Sequence, residues 1–427
     1  MKIAFTICTF SYLGLAEVLA RSLDEHDQDT LFLTFIVDGC LNDARTFFNF
    51  DRIVEANKVL GIPSNEWNQM AFKYDVTEFC TAIKPACFKY IFQNFNCDAG
   101  IYLDPDILVF GSLKCLYDHF IHKSIILTPH IVTIQTTYSG DLSEKSLLYS
   151  GIYNLGFLGL KNCEISMRML DWWDIRLKDR CYQSMSEHYF TDQKWMDFVP
   201  GFFPMDVLIL QNLGLNLAPW NFFEREVIFD GGQTFVRNRL DQMIGIPDRL
   251  IFAHFSGFDY RDLVSGRISQ RNILDLRIPA DIEKLIDIYA DKLKCSNICD
   301  WMVRSYDYNI FSNSVNVSTV HRRIYRRLLE DARASGDPFD SDGNFYTTLV
   351  QNGLVDVASG DSKMVISAVS KFWFIVLIFN LSLRFIHFVI GTNRFFLAMR
   401  VLRLYSIVEN HVYLIDKRYL REVRFRK

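Results

Sequence analysis

The opening of the chain restricts its fold more than any other stretch. "KIAFTIC" reads as an apolar strand, "LGLAEVLARSLDEH" carries Leu15, Val18, Leu19 and Leu23 at helical spacing, and "LFLTFIVD" is a second apolar strand ending in Asp38. A strand, a helix and a strand in that order predict a parallel pair joined by a crossover. The expected fold class is therefore α/β, a mixed but mainly parallel sheet flanked by helices, with strand C-termini along one edge where such sheets bind ligands. At 427 residues the chain is long enough for one large α/β domain with additions. Charges at Glu17 and Arg21 follow the first strand so closely that no signal peptide is expected, and the main domain is expected in the cytoplasm. The ten scattered cysteines read as small buried fillers of a reducing compartment, and Cys295 and Cys299 alone make a poor zinc pair.

"GIYLDPDILVF" (100–110) places two carboxylates, Asp104 and Asp106, at the end of an apolar run. An unpaired carboxylate held away from water costs several kilocalories, so a positive partner is expected nearby. Two acids one residue apart at a strand end can hold a hard divalent cation, Mn²⁺ or Mg²⁺, whose remaining positions commonly go to substrate phosphates. A turn or a solvated strand end is the plainer reading of such a triplet.

Further along, Asp75 and Glu78 make a capping box for a helix through "TEFCTAI" that is interrupted or bent at Lys84-Pro85. "SIILTPHIV" and "GIYNLGFLGL" read as strands, and "CEISMRMLDWWDIRLKDRCY" as a long helix. These boundaries predict an α/β domain over 1–290, a helical appendage over 291–360 and a basic, apolar tail over 361–427. The tail holds twelve Lys/Arg against four Asp/Glu, which leaves residues 1–360 at −12. Its uninterrupted apolar core, Phe372 to Phe379, is shorter than the roughly 20 residues a spanning helix needs. Arginines interleaved with Phe, Leu and Tyr suit an anionic membrane surface, and a buried helix pair with a solvated basic face is the alternative. The acidic remainder argues against nucleic acid.

The ordered pieces "IYLDPDILVF", "YNLGFLGL", "TDQKWMDF", "APWNFF" and "IFAHFSGFD", all within residues 1–260, are similar to those of a nucleotide-sugar glycosyltransferase of the GT-A fold, nearest to glycosyltransferase family 8. That resemblance implies a metal held by Asp104, Asp106 and His254. It implies a nucleotide-sugar donor, a UDP-sugar first, contacted by Thr6, Tyr12, Asp104, Asn154, Gly156 and Gly257. It also implies Asp192 and Gln193 near the anomeric carbon, Trp220 and Asn221 as a short Trp-Asn element, and Lys84 reaching donor phosphate or sugar. The implied reaction is transfer to a glycan or lipid-linked acceptor with retention, in bacterial surface polysaccharide or lipopolysaccharide synthesis at the cytoplasmic face of the inner membrane. Two departures stand in the sequence: "FDYRD" replaces the Lys-Pro-Trp that often follows the family's glycine, and Lys194 stands where a second acid is common.

Each residue also has a plain structural reading. His254 could be a hydrogen-bonded core histidine, Asn154 and Gly156 a strand bulge, Asp192 an acid at a helix N-terminus, Lys84 a solvated side chain, and Tyr12 a core ring. Two rival functions remain: a non-catalytic glycan- or partner-binding scaffold, and a nucleotidyltransferase. The latter is disfavoured because "TICTFSYLG" offers one glycine and no lysine.

Overall fold

The computed structural model describes residues 1–40, 52–241, 246–296, 298–355 and 373–420. Its chain divides into two compact units, Met1–Pro63 with Val76–Asp307, and Ser64–Asp75 with Tyr308–Lys427. The divisions fall elsewhere than at the sequence boundaries 290 and 360, and a helix from the first hundred residues belongs to the later unit.

The first unit is built on a seven-stranded sheet in the order Ile53–Glu55, Thr30–Ile36, Lys2–Cys8, Ala99–Leu103, Phe157–Lys161, Ile125–Leu127, Val207–Ile209. Only Phe157–Lys161 runs against its neighbours, so the sheet is mixed and mainly parallel, as expected. Lys2–Cys8 is central and buried along nearly its whole length, which is why its sequence is a continuous apolar run rather than an alternating one. Phe5 meets Phe35, Phe88 and Tyr102 edge to face, with centroids 5.7, 5.3 and 4.8 Å away for Phe35, Tyr102 and Phe88 respectively. Asp38, just past the second strand, accepts hydrogen bonds from the backbone N–H of Phe10 (2.7 Å) and of Asp307 (3.3 Å). It thereby ties down the loop that carries Tyr12, and burial pushes its carboxyl up to about 6.

Two local features place the site. The expected helix break is real: one helix covers Val76–Ala82 and the next Lys84–Asn94. Pro85 sits in the first turn of the second, where a missing N–H costs nothing, and this fixes Lys84 at a helix start facing the sheet. After Ala99–Leu103 the segment Asp104-Pro105-Asp106 turns, with Ile107 N–H donating to Asp104 O at 3.2 Å. The chain then leaves the sheet as Ile107–Val109 and pairs antiparallel with Phe252–His254, His254 opposite Ile107. "GIYNLGFLGL" is strand only from Phe157, so Asn154 and Gly156 lie in the turn before it and not in a strand bulge.

In the second unit, Phe72 of the helix Ser64–Lys73 is packed among Phe311, Tyr325, Phe339 and Phe345. Buried Arg322, on the helix Thr319–Glu330, donates to the carbonyls of Ala71, Phe72 and Tyr74 at 2.8–2.9 Å and so neutralises the C-terminal end of that helix. Val412 and Tyr419 belong to the same core, and buried Arg326 pairs with Glu409. Residues 408–420 are therefore core of this unit, although the sequence reads them as part of the tail. Between them and the rest lie the helices Trp373–Ile390 and Thr392–Tyr405, laid against each other across Gly391 at φ 76°. No helix of the described residues is long and apolar enough to cross a membrane. Residues 356–372 and 421–427, which carry Lys363, Lys371, Arg421, Arg424, Arg426 and Lys427 of the tail's basic residues, lie outside the described residues. All ten cysteines are free; Cys8, Cys87, Cys97 and Cys181 are buried, whereas Cys40, Cys115, Cys295 and Cys299 are exposed and are not the buried fillers expected.

Candidate metal and donor site

The turn at Asp104-Pro105-Asp106 and the ribbon beside it bring three side chains together. His254 Nε2 lies 3.0 Å from Asp106 Oδ1 and 3.5 Å from Asp104 Oδ2, and one ligand atom from each residue falls within 4.8 Å of the others. Adjacent ligands of an octahedral ion bound at about 2.0–2.2 Å stand about 3 Å apart, so this spacing suits such an ion. Neither nitrogen of the buried His254 ring has a well-formed hydrogen bond. Two carboxylates and an imidazole form a mixed oxygen and nitrogen donor set of the kind that holds a divalent cation.

The electrostatics point the same way. Burial alone would hold the His254 imidazole neutral, but the charges of Asp106 and Asp104 outweigh it and raise its pKa. Burial raises the Asp104 carboxyl against the pull of Lys84 and His254. For Asp106, burial is overcome by the charge of His254 3.0 Å away and by the hydrogen bond from Tyr260, and its carboxyl is lowered. A proton and an arriving cation would compete for the same His254 nitrogen.

Around the triad the other oxygens are taken. Tyr102 Oη donates to Asp104 Oδ1 at 2.5 Å and Tyr260 Oη to Asp106 Oδ2 at 2.9 Å. Such bonds orient the carboxylates. Lys84, 1 % exposed, is not solvated: its Nζ is 2.8 Å from Asp192 Oδ2, donates to Leu155 O at 2.8 Å, and stands 3.9 Å from Asp104 Oδ1 and 4.2 Å over the Tyr102 ring. Asp192 precedes a 3₁₀ turn but spends its carboxylate on Lys84 and on the Thr191 hydroxyl (3.1 Å), not on capping.

Gln193 and Asn154 hold each other. Gln193 Oε1 accepts from Asn154 Nδ2 (3.2 Å) and Leu155 N–H (3.0 Å), while its Nε2 donates to Ser150 O at 2.9 Å. Asn154 Oδ1 accepts from Gly156 N–H (2.9 Å) and Asn216 Nδ2 (3.1 Å). Asn221 Nδ2 donates to the carbonyls of His130 and Asn216, and the Trp220 ring stands edge-on to both His254 and His130 at 5.3 Å. Burial drives the His130 imidazole down to about 4. His130, Asn216, Tyr102 and Tyr260 carry no local mark in the sequence, and only their spatial partners give them meaning. Tyr12 lies edge-on to Tyr260, centroids 6.1 Å apart. Thr6 is fully buried in the central strand with no hydrogen-bond partner for its hydroxyl, and no bond links it to the triad.

Gly156 has a spatial role. A Cβ there would lie 2.3 Å from His254 Cε1 and 2.5 Å from Nδ1, so only glycine leaves the imidazole its place. Gly156→Ala is expected to lower Mn²⁺ affinity at least tenfold by electron paramagnetic resonance titration while costing about 1–3 kcal/mol of stability. Wild-type affinity in that variant would show that the ring relaxes elsewhere.

No family model matches this chain. A relative from Bacillus subtilis (strain 168), "Uncharacterized protein YfnF", is 24% identical over 258 residues, which is 59% of this chain and 80% of that one. Among solved structures, the galactosyltransferase LgtC in complex with donor and acceptor sugar analogues is 20% identical, with 68% of this chain and 95% of that chain covered and a TM-score of 0.37. The glycosyltransferase GlyE of Streptococcus pneumoniae TIGR4 is 12% identical over 73% of this chain and 66% of its own, with a TM-score of 0.39. Mouse xyloside xylosyltransferase 1 follows at 10% identity, 51% and 87% coverage and a TM-score of 0.34.

Proposed function

We propose that this chain is a metal-dependent glycosyltransferase that moves a sugar from a nucleotide sugar, first a UDP-sugar, to a glycan or lipid-linked acceptor with retention of configuration. The observation that carries the reading is the convergence of Asp104, Asp106 and His254 from two separate stretches of sequence onto one ion-sized space. A divalent ion held there supplies Lewis-acid stabilisation to a departing diphosphate. The protein's own residues do the rest. Tyr102 and Tyr260 fix the carboxylates, Lys84 holds positive charge beside Asp104 while pinning Asp192, and the Asn154–Gln193–Asn216 amides make a rigid polar wall on which a sugar can be oriented. The rival, a non-catalytic scaffold with the same fold, predicts nucleotide binding without turnover. Incubation with UDP-glucose and UDP-galactose, with and without Mn²⁺, decides between them: cation-dependent release of UDP supports the enzyme, and its absence for every nucleotide sugar in a full panel sinks it.

The reading extends to a membrane. The helix pair Trp373–Ile390 and Thr392–Tyr405 exposes Phe379, Phe385 and Phe388 at 59–83 %, and from 373 to 408 the sequence holds Arg384, Arg394, Arg400 and Arg403 with no acidic residue. An apolar surface with only cationic charge suits the anionic cytoplasmic leaflet, where a lipid-linked acceptor of lipopolysaccharide or another surface polysaccharide would be met. Removing all of 361–427 would also strip Val412 and Tyr419 from a core, so point changes test the idea better. Phe379→Glu with Phe385→Glu is expected to abolish sedimentation with phosphatidylglycerol vesicles and leave hydrolysis of the donor intact. Undiminished sedimentation rejects the membrane contact.

A further inference from the structure

We infer that Arg271 is the cation that receives the diphosphate of a nucleotide bound at Asp104, Asp106 and His254, an inference that rests on the function proposed above. The charge at the site calls for one. A divalent ion does no more than balance Asp104 and Asp106, and Lys84 is committed to Asp192 and the Leu155 carbonyl. Among the described residues, a nucleoside diphosphate, with several negative charges, thus meets neither ion nor lysine with positive charge to spare on the sheet side. Charge-assisted contacts to phosphate are strongest from a guanidinium, whose planar fork matches two oxygens.

The loop that follows His254 brings such a group in. Beyond Ser256 the chain turns at Gly257 (φ 78°), makes the short helix Tyr260–Val264, and then doubles back on itself. Asp259 N–H donates to Ser269 O and Arg271 N–H to Gly257 O, both at 2.8 Å, and Phe258 bridges Gln270. A Cβ at Gly257 would lie 2.5 Å from Asn272 Nδ2 and 2.7 Å from Gln270 Nε2, so the returning segment is packed directly on the loop. The result pairs Arg271 with Asp259, the residue before Tyr260, whose hydroxyl is bonded to Asp106 and whose ring stands edge-on to Tyr12. The Arg271 side chain is 60 % exposed and pairs with Asp259, a carboxylate that already accepts the N–H groups of Arg261 and Asp262. Its near neighbours are committed elsewhere, Arg261 to the Met302 carbonyl and Arg267 to Asp262. Asp259 therefore parks a guanidinium at the mouth of the metal site and can release it without being left unpaired, because the helix N-terminus continues to satisfy it.

The test is calorimetric and uses the full chain in Mn²⁺ with UDP and UMP, then GDP and ADP. Arg271→Gln is expected to weaken UDP binding at least tenfold, to shrink the preference for UDP over UMP, and to leave Mn²⁺ affinity and the melting temperature unchanged; Arg271→Lys should fall between. Wild-type UDP affinity in Arg271→Gln overturns the assignment and leaves the proposed function standing. Failure of the wild-type protein to bind any of the nucleoside diphosphates in Mn²⁺ overturns both.

Discussion

Asp106→Asn is expected to reduce Mn²⁺-dependent release of UDP from the donor about a thousandfold, ~4 kcal/mol of transition-state stabilisation, with the fold intact. The change is small in shape. An amide oxygen can still accept from the Tyr260 hydroxyl now 2.9 Å from Asp106 Oδ2, and Phe255 N–H donates to the Asp106 backbone carbonyl, which the substitution does not touch. What is lost is one of the two negative charges that an ion would meet. Asp106 is the acid whose carboxyl is held low by His254 and Tyr260 despite burial, whereas the Asp104 carboxyl is raised by burial, so Asp106 is the better anionic ligand of the pair. Turnover and Mn²⁺ affinity should fall together, and the melting temperature without metal should fall by only a few degrees, because losing the charge 3.0 Å from His254 is partly offset by relief of repulsion with Asp104. A variant that turns over at the wild-type rate in Mn²⁺ would place the ion elsewhere and remove the basis for the proposed chemistry.

Much of this candidate site is legible in the sequence. The continuous apolar run of Lys2–Cys8 required a strand covered on both faces, and Pro85 required the helix break that fixes Lys84. Asp104 and Asp106 announced a charge to be balanced. His254 was reachable only through motif order, because what brings it there is the register of a two-stranded ribbon, Ile107 opposite His254, and register is a long-range property. Other features left no local mark. The helix Ser64–Lys73 is amphipathic, and its pattern says that one face is buried without saying in which unit. "VHRRIYRRLLE" reads as a basic helix, and Arg322, Arg326 and Arg327 on it are buried, two of them against carbonyls or a glutamate that lie far away in sequence. A charge run in one dimension does not reveal distant acceptors. The same holds for the amides of Asn154, Gln193 and Asn216, whose value comes from mutual contact across 62 residues.

Lys84→Met is the stability change with the largest expected effect, a loss of about 3–5 kcal/mol. Lys84 and Asp192 are both nearly inaccessible, at 2 % and 3 % side-chain exposure, and stand 2.8 Å apart. Methionine fills most of the volume of the lysine stem, so packing against Tyr102 changes little; the cost arises because Asp192 keeps a buried charge whose remaining donor is the Thr191 hydroxyl, while Asp104 loses the cation 3.9 Å away. Leu155 O also loses its donor. Urea unfolding followed by tryptophan fluorescence reads the loss directly, Trp173 being buried with its indole N–H on the Asp192 carbonyl. The double variant Lys84→Met/Asp192→Asn removes both charges at once and should recover most of the lost stability, since a buried ion pair repays little beyond its own desolvation. It should not recover activity, because the positive charge beside Asp104 is still missing. Those two readouts separate the roles of the pair: if the double variant were as unstable as Lys84→Met, the ion pair would not be what Lys84 contributes to folding, and if it were as active as the wild type, the lysine would hold the scaffold alone and contribute nothing to the chemistry.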